Sequence, residues 1–185
     1  MPKVISGILK GRNISGYNIE GTRPTMDRVK ESVFGIIQDY IDKSVVLDLF
    51  SGSGNLGIEA LSNGASIVYF NDYNKKCINT IKDNLIKFNI INKSILLNLD
   101  YRECLNYLHN KKIKFDIIFL DPPYKYLIIN DILNSLIEKD LLNSDAIIIC
   151  EMEKIEYFDN EKLKLIKEKK YGSKFVLIYK SVKLM

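Results

Sequence analysis

Two short stretches carry residue types and spacings that can do chemistry. The first is Asp48-Leu49-Phe50-Ser51-Gly52-Ser53-Gly54-Asn55-Leu56-Gly57. Gly52-x-Gly54-x-x-Gly57 lets a backbone approach a bound nucleotide. Asp72, about 20 residues after Gly52, is placed to accept hydrogen bonds from ribose hydroxyls. Both features fit a dinucleotide site, but Asp48 does not. A carboxylate beside the expected pyrophosphate repels an anion and attracts a cation such as an amino group or a sulfonium. Asp100 closes a further apolar run. Acids at Asp48, Asp72 and Asp100 suit a ligand with an ammonium, a ribose diol and an adenine amine, the set S-adenosylmethionine presents.

The second stretch is Asp121-Pro122-Pro123-Tyr124. Two prolines fix two φ angles and remove two N–H donors, so a strand stops there and a rigid rim begins. Asp121 and the Pro122 carbonyl are two acceptors that can hold both hydrogens of an exocyclic amine on a planar base. Tyr124 can stack on the base, worth roughly 1–3 kcal/mol. The amine would be aimed at an already electrophilic methyl, so catalysis is mostly alignment, with Asp121 orienting the nitrogen and taking its proton. Asp121, Pro122, Pro123 and Tyr124 are therefore the candidate catalytic residues.

These residues need a scaffold that brings strand ends together. From residue 45 onward, short apolar runs alternate with helical patterns. Val45–Phe50, Ser66–Asn71, Ser94–Leu99, Phe115–Leu120 and Ala146–Cys150 read as strands. Leu56–Asn63, 75–89, Glu103–Leu108 and Ile129–Glu138 read as helices; Ile78, Ile81, Leu85 and Phe88 share one face. Fully apolar strands alternating with helices predict a parallel sheet covered on both faces, an α/β fold whose ligands sit at the strands' carboxyl ends. Leu163–Lys170 and Lys174–Lys180, joined by Tyr171-Gly172-Ser173, predict a closing antiparallel hairpin. Ahead of the sheet, Val4–Leu9 and Arg12–Ile19 read as a small β pair. Pro24-Thr25 then opens a helix, with Thr25 as N-cap and a stripe of Val29, Val33, Ile36, Ile37 and Tyr40.

Composition narrows the class. At 185 residues with 46% hydrophobic and 27% charged, the chain suits one globular domain and excludes disordered, collagenous and disulfide-built proteins. Cys77, Cys104 and Cys150 show no CxxC spacing, and one histidine, His109, gives no metal-ligand set, so neither disulfides nor a metal is expected. The first residues lack a signal-peptide core and no apolar run reaches the ~18 residues of a membrane span. A cytoplasmic protein without a membrane partner is the expectation. The net charge of +4 is small, but residues 1–30 hold all of it, with Lys3, Lys10, Arg12, Arg23, Arg28 and Lys30 against Glu20 and Asp27. Three of the chain's four arginines fall in this segment, where a planar fork suits phosphate.

Beyond the two motifs, the chain quotes Ile5-Ser6-Gly7 with Gly11-Arg12, then Gly21-Thr22-Arg23-Pro24-Thr25-x-Asp27-Arg28-Val29-Lys30-Glu31. Gly57-x-Glu59-Ala60-Leu61, Gly64-Ala65 and Glu151-x-Glu153 follow. With Asp48–Gly57 and Asp121–Tyr124, these marks resemble the class I, S-adenosylmethionine-dependent methyltransferases that act on the N2 amine of one guanine in bacterial 16S rRNA. The resemblance covers essentially the whole chain. It implies a Rossmann-like, mostly parallel seven-stranded sheet with an antiparallel last strand, helices on both faces and a small N-terminal β/α extension. It implies a methyltransferase domain at 45–185 and an extension at 1–44 that packs on the core and guides RNA. It also implies a cofactor set of Asp48, Phe50, Ser51, Gly52, Gly54 and Asn55 in the loop, with Asp72 and Tyr73 on the ribose and Asp100 and Tyr101 near the adenine. The partner implied is 16S rRNA, within the small ribosomal subunit or an assembly intermediate.

Lys3, Lys10, Arg12, Arg23 and Arg28 are the candidate RNA-binding residues, contacting phosphates or steering a flipped guanine. The rival within enzymes is an adenine-N6 methyltransferase on DNA or RNA, which uses the same amine-holding logic, often with Asn in place of Asp121. A binding module that has lost chemistry conflicts with the intact Asp121–Tyr124. An NAD-dependent oxidoreductase lacks a substrate domain and an evident proton donor.

Overall fold

The computed structural model describes residues 1–16, 24–123 and 127–183. Arg23 and Tyr124, and the last three residues of the expected strand Arg12–Ile19, lie outside them. The elements run α1 (Pro24–Ile41), β1 (Val45–Asp48), α2 (Asn55–Ser62), β2 (Ile67–Asn71), α3 (Lys75–Lys87), β3 (Ser94–Leu97), α4 (Tyr101–Asn110), β4 (Phe115–Leu120), α5 (Ile129–Glu138), β5 (Leu142–Met152), β6 (Leu163–Tyr171) and β7 (Lys174–Ser181).

Seven strands form one sheet in the order β3-β2-β1-β4-β5-β7-β6. β1 to β5 are parallel, and β7 inserts antiparallel between β5 and β6. The expected α/β architecture with an antiparallel last strand is therefore observed. The order reverses between β1 and β4, which opens a crevice at their carboxyl ends. Strands of nearly continuous apolar character fit because both faces are covered. One face packs under α1, α2 and α3 through Val46, Val68, Phe70, Ile117, Phe119 and Ile149. The other packs under α4 and α5 through Leu47, Phe115, Ile118, Leu120, Ile148 and Cys150.

Most element boundaries sit within two residues of expectation, and the differences at α4, β5 and α1 have causes. α4 spans Tyr101–Asn110 rather than Glu103–Leu108 because the Asp100 side chain accepts the Arg102 N–H and caps the helix early. β5 reaches from Leu142 to Met152, since β4 and β7 both supply partners beyond its apolar centre. In α1 the helix already begins at Pro24, so Thr25 lies inside its first turn rather than ahead of it. Its buried face is Val29, Val33, Phe34, Ile37 and Ile41; Phe34 stacks on Phe119 at 5.7 Å, while Tyr40 is exposed.

The expected N-terminal β pair is mostly something else. Among the described residues a single bridge, Lys3 to Asn13, is flanked by bonds from Val4 N–H to the Arg12 carbonyl and from Gly11 N–H to the Val4 carbonyl. Gly7–Leu9 form a 3-10 turn. The ladder fails because its donors are claimed elsewhere. The N–H groups of Ile5 and Ser6, and the Ser6 hydroxyl, all donate to the Glu59 carboxylate of α2 at 2.9–3.1 Å. Gly7 presses onto the end of α2, where a Cβ would stand 1.9 Å from the Ser62 carbonyl oxygen.

Glu59 is fully buried, and its charge is met by the Lys30 ammonium of α1 at 2.9 Å, itself 1% exposed. Lys30 also donates to the Lys3 carbonyl at 2.5 Å and to Asn55 Oδ1 at 2.7 Å. Val4, Leu9 and Ile14 join the same core as α1 to α3. Lys30→Met would strand the Glu59 charge out of water, at a cost of about 3–5 kcal/mol. Urea denaturation should register that loss, and Lys30→Met combined with Glu59→Gln should recover part of it.

Candidate active site

The crevice between β1 and β4 is a cleft of about 740 Å³. Its floor is the glycine loop. β1 ends at Asp48, 2% exposed, and the Ser51 hydroxyl donates back to the Asp48 carbonyl at 2.6 Å. The turn closes with Gly54 N–H on the Ser51 carbonyl, and Gly54 then leads into α2. Asp48 Oδ2 accepts the Gly57 N–H at 3.1 Å, one of the donors a helix start leaves over. At Gly57, α2 lies so close to β2 that a Cβ would meet the Phe70 ring at 2.2 Å. Burial pushes the Asp48 carboxyl from its ordinary value near 3.8 up to about 7; the Gly57 N–H opposes the rise and the Asp72 charge adds to it.

The second wall comes from β2 and β3. Asp72 accepts Gly52 N–H on Oδ2 and Asn74 N–H on Oδ1, both at 2.9 Å, so it ties the glycine loop to the start of α3. Asn71, a residue without an expected role, fastens three strand ends. Its amide donates to the Leu49 and Leu99 carbonyls at 3.1 Å, and its oxygen accepts the Leu99 N–H at 3.3 Å. Asn98 likewise donates to the carbonyls of Asp72 and Tyr73. Asp100 serves as a cap and also lines the cleft. Phe50 and Tyr101 face each other at 5.8 Å, and Arg102 lies 4.5 Å from the Tyr101 ring. The Tyr101 hydroxyl is buried with no partner among the described residues.

Across the cleft stand Asp121, buried Pro122 and exposed Pro123. β5 and the β6–β7 hairpin add Glu151, Glu153, Tyr171 and Lys174, and α1 adds Met26, Val29 and Lys30. Lys174 pairs with Glu151 at 2.6 Å, and the Tyr171 hydroxyl donates to Ser32 of α1. Sequence reasoning assigned none of these a role in the cleft. Glu151-x-Glu153 was visible as a pattern, but only the β4–β5 register sets it beside Asp121.

The basic candidates divide by position. Arg28 is exposed on α1 between the cleft-lining Met26 and Val29. Lys3, Lys10 and Arg12 are exposed on the N-terminal segment. Arg12 lies 5.7 Å from the Phe88 ring, which ends α3. The 13 residues of α3 separate that point from the cleft, roughly 20 Å at helical rise. Lys30, counted with this basic set, is buried in its ion pair with Glu59, an acid of α2 rather than of its own helix.

A doubly wound sheet with this hairpin, a glycine loop under a strand-end carboxylate and a proline-walled acid opposite define a class I methyltransferase. Residues 2–180 match the family described as Conserved hypothetical protein 95, and the chain belongs to that family. It is 37% identical over 172 residues to ribosomal RNA small subunit methyltransferase D of Haemophilus influenzae, covering 92% of this chain and 89% of that protein. It is 39% identical over 152 residues to the protein of the same name from Buchnera aphidicola, covering 82% and 78%. Among solved structures, a conserved hypothetical protein of Streptococcus pyogenes superposes with a TM-score of 0.76 at 33% identity, covering 82% of this chain and 94% of that one.

The methyl donor of this class is S-adenosylmethionine, and the residues present fit it. A buried carboxylate at Asp48 suits a cation, Asp72 at a strand end suits a diol, and the unpartnered Tyr101 hydroxyl awaits a polar group. Binding a cation favours ionised Asp48, so affinity should rise as pH climbs through 7. By calorimetry, the donor's Kd should fall about tenfold or more from about pH 5.5 to about pH 7.5. Asp48→Asn should weaken binding and flatten that profile; an unchanged profile would remove Asp48 from cation recognition.

Proposed function

We propose that this chain transfers a methyl group from S-adenosylmethionine to the exocyclic N2 amine of one guanine in 16S rRNA, in the small ribosomal subunit or an assembly intermediate. The observation that carries the reading is the placement of Asp121-Pro122-Pro123 directly across the β1–β4 crevice from the Asp48–Gly57 loop. The small-subunit rRNA named for the H. influenzae and B. aphidicola relatives supports the substrate class.

The loop residues Phe50, Ser51, Gly52, Gly54 and Asn55, with Asp48, hold the methionyl end. Asp72 and Tyr73 take the ribose; Asp100 and Tyr101 take the adenine side. When bound, S-adenosylmethionine supplies an electrophilic methyl: the N2–C bond forms as the C–S bond breaks, and the electron pair stays on sulfur. Asp121 and the Pro122 carbonyl hold the two amine hydrogens and point the nitrogen lone pair along the line of transfer. Asp121 then receives the proton released as nitrogen becomes cationic. Pro123 stiffens the rim and Tyr124 stacks on the base.

The guanine must leave its stack, at a cost of a few kcal/mol, which favours a loop or hairpin target. Arg28 in the first turns of α1 guides it at the cleft, Arg23 adds a further cation for RNA, and Lys3, Lys10 and Arg12 hold backbone further along. Among the described residues no helix is long and apolar enough to cross a membrane, and no cluster of His, Cys, Asp and Glu could hold a metal ion.

Labelled methyl transfer to small subunits, naked rRNA and DNA, followed by nucleoside analysis, tests the reading. N2-methylguanosine in rRNA is expected; N6-methyladenosine would overturn it. Asp121→Ala should abolish transfer while calorimetric donor affinity survives. Arg12→Ala with Arg23→Ala should raise the KM for RNA and lower the slope of log K against log salt by about 1.4–1.8.

A further inference from the structure

The far wall of the cleft holds an ion pair outside the set of residues assigned above to the methyl donor. β4 and β5 run parallel with Leu120 opposite Cys150, so Asp121 and Glu151 follow on neighbouring strand ends, roughly 4.8 Å apart. β7 runs antiparallel to β5 with Phe175 opposite Met152, which brings Lys174 to the same end. Phe119, Ile149 and Val176 all belong to the core under α1. Asp121, Glu151 and Lys174 each stand two residues from one of these and continue that face. Lys174 Nζ lies 2.6 Å from Glu151 Oε1, and the two side chains remain 23% and 15% exposed into the cleft.

An amine held at Asp121 leaves the rest of the base edge to these two groups. On guanine, the N2 amine is followed by the N1–H donor and then the O6 acceptor. A carboxylate only accepts, through two oxygens, and an ammonium only donates, through three hydrogens. We propose that Glu151 and Lys174 read the Watson–Crick edge of the target guanine, Glu151 accepting from N1–H and Lys174 donating to O6. This rests on the guanine-N2 reading above. With its N6 amine held at Asp121, adenine would set its N1 lone pair against the Glu151 carboxylate and a C2–H against the Lys174 ammonium, one repulsion and one lost hydrogen bond that select against it.

2,6-Diaminopurine tests this, because it keeps the 2-amine but carries an acceptor at N1 and a donor at position 6. The methylated guanosine is mapped in wild-type product. It is then replaced by splinted ligation, and transfer is measured on the ligated rRNA both naked and reassembled into subunits. The wild-type enzyme should slow by at least about 100-fold on the analogue. Glu151→Gln can present either end of its amide, so it should narrow the gap to about tenfold or less while donor affinity by calorimetry is retained. N2-methylguanosine formed together with equal wild-type rates on the two bases would overturn this inference alone. A Glu151→Gln enzyme that retains the full gap would return the pair to a structural role. Absence of N2-methylguanosine in wild-type product would overturn the guanine reading and this inference with it.

Discussion

A carboxylate and an ammonium, both out of water, hold the molecule's two halves in one geometry. Glu59 sits in the middle of α2, whose first turn closes the glycine loop, and Lys30 sits in α1, which roofs the cleft. Such a pair repays its desolvation only when the remaining donors and acceptors are satisfied. Here the Ile5 and Ser6 N–H groups complete Glu59, while the Lys3 carbonyl and Asn55 complete Lys30. The N-terminal segment is therefore a set of hydrogen-bond partners for a buried charge, and its backbone is spent on that task rather than on a β ladder.

The cleft follows from this fastening. Asn55 opens α2 and meets Lys30, so the loop that would carry the donor is tied to the helix that roofs it. Asp48 and Asp72 each take loop or helix-start N–H groups before any ligand arrives. Both acids are thus already oriented, and orientation is most of what an enzyme with an activated methyl donor needs to supply. On the opposite side, the Tyr171–Ser32 contact anchors the β6–β7 hairpin to α1, and the hairpin's Lys174 meets Glu151 on the strand next to Asp121.

Much of the chemistry was legible in residue order. Asp48–Ser53, Asp72, Asp100 and Asp121–Pro123 all line one cleft, because each lies at the carboxyl end of a strand and parallel strands gather those ends. What order could not convey was double duty. Asp100 caps α4 as well as facing the cleft, and Lys30 looked like a surface cation on a basic arm. Helical spacing sets Lys30, unlike Arg28, on the face of Phe34, Ile37 and Ile41, but the Glu59 carboxylate that meets its charge there arrives from another helix.

By itself the sequence determined the α/β class, the antiparallel closing hairpin and the two motifs that face each other, since periodicity, proline and glycine act within a few residues. Tertiary structure alone decided which polar groups meet. Asn71 stapling three strand ends, Glu151 beside Asp121, Lys30 in Glu59 and the displacement of Arg12 to the far end of α3 are all long-range pairings. They are set by strand register and helix packing, and no spacing along the chain encodes them.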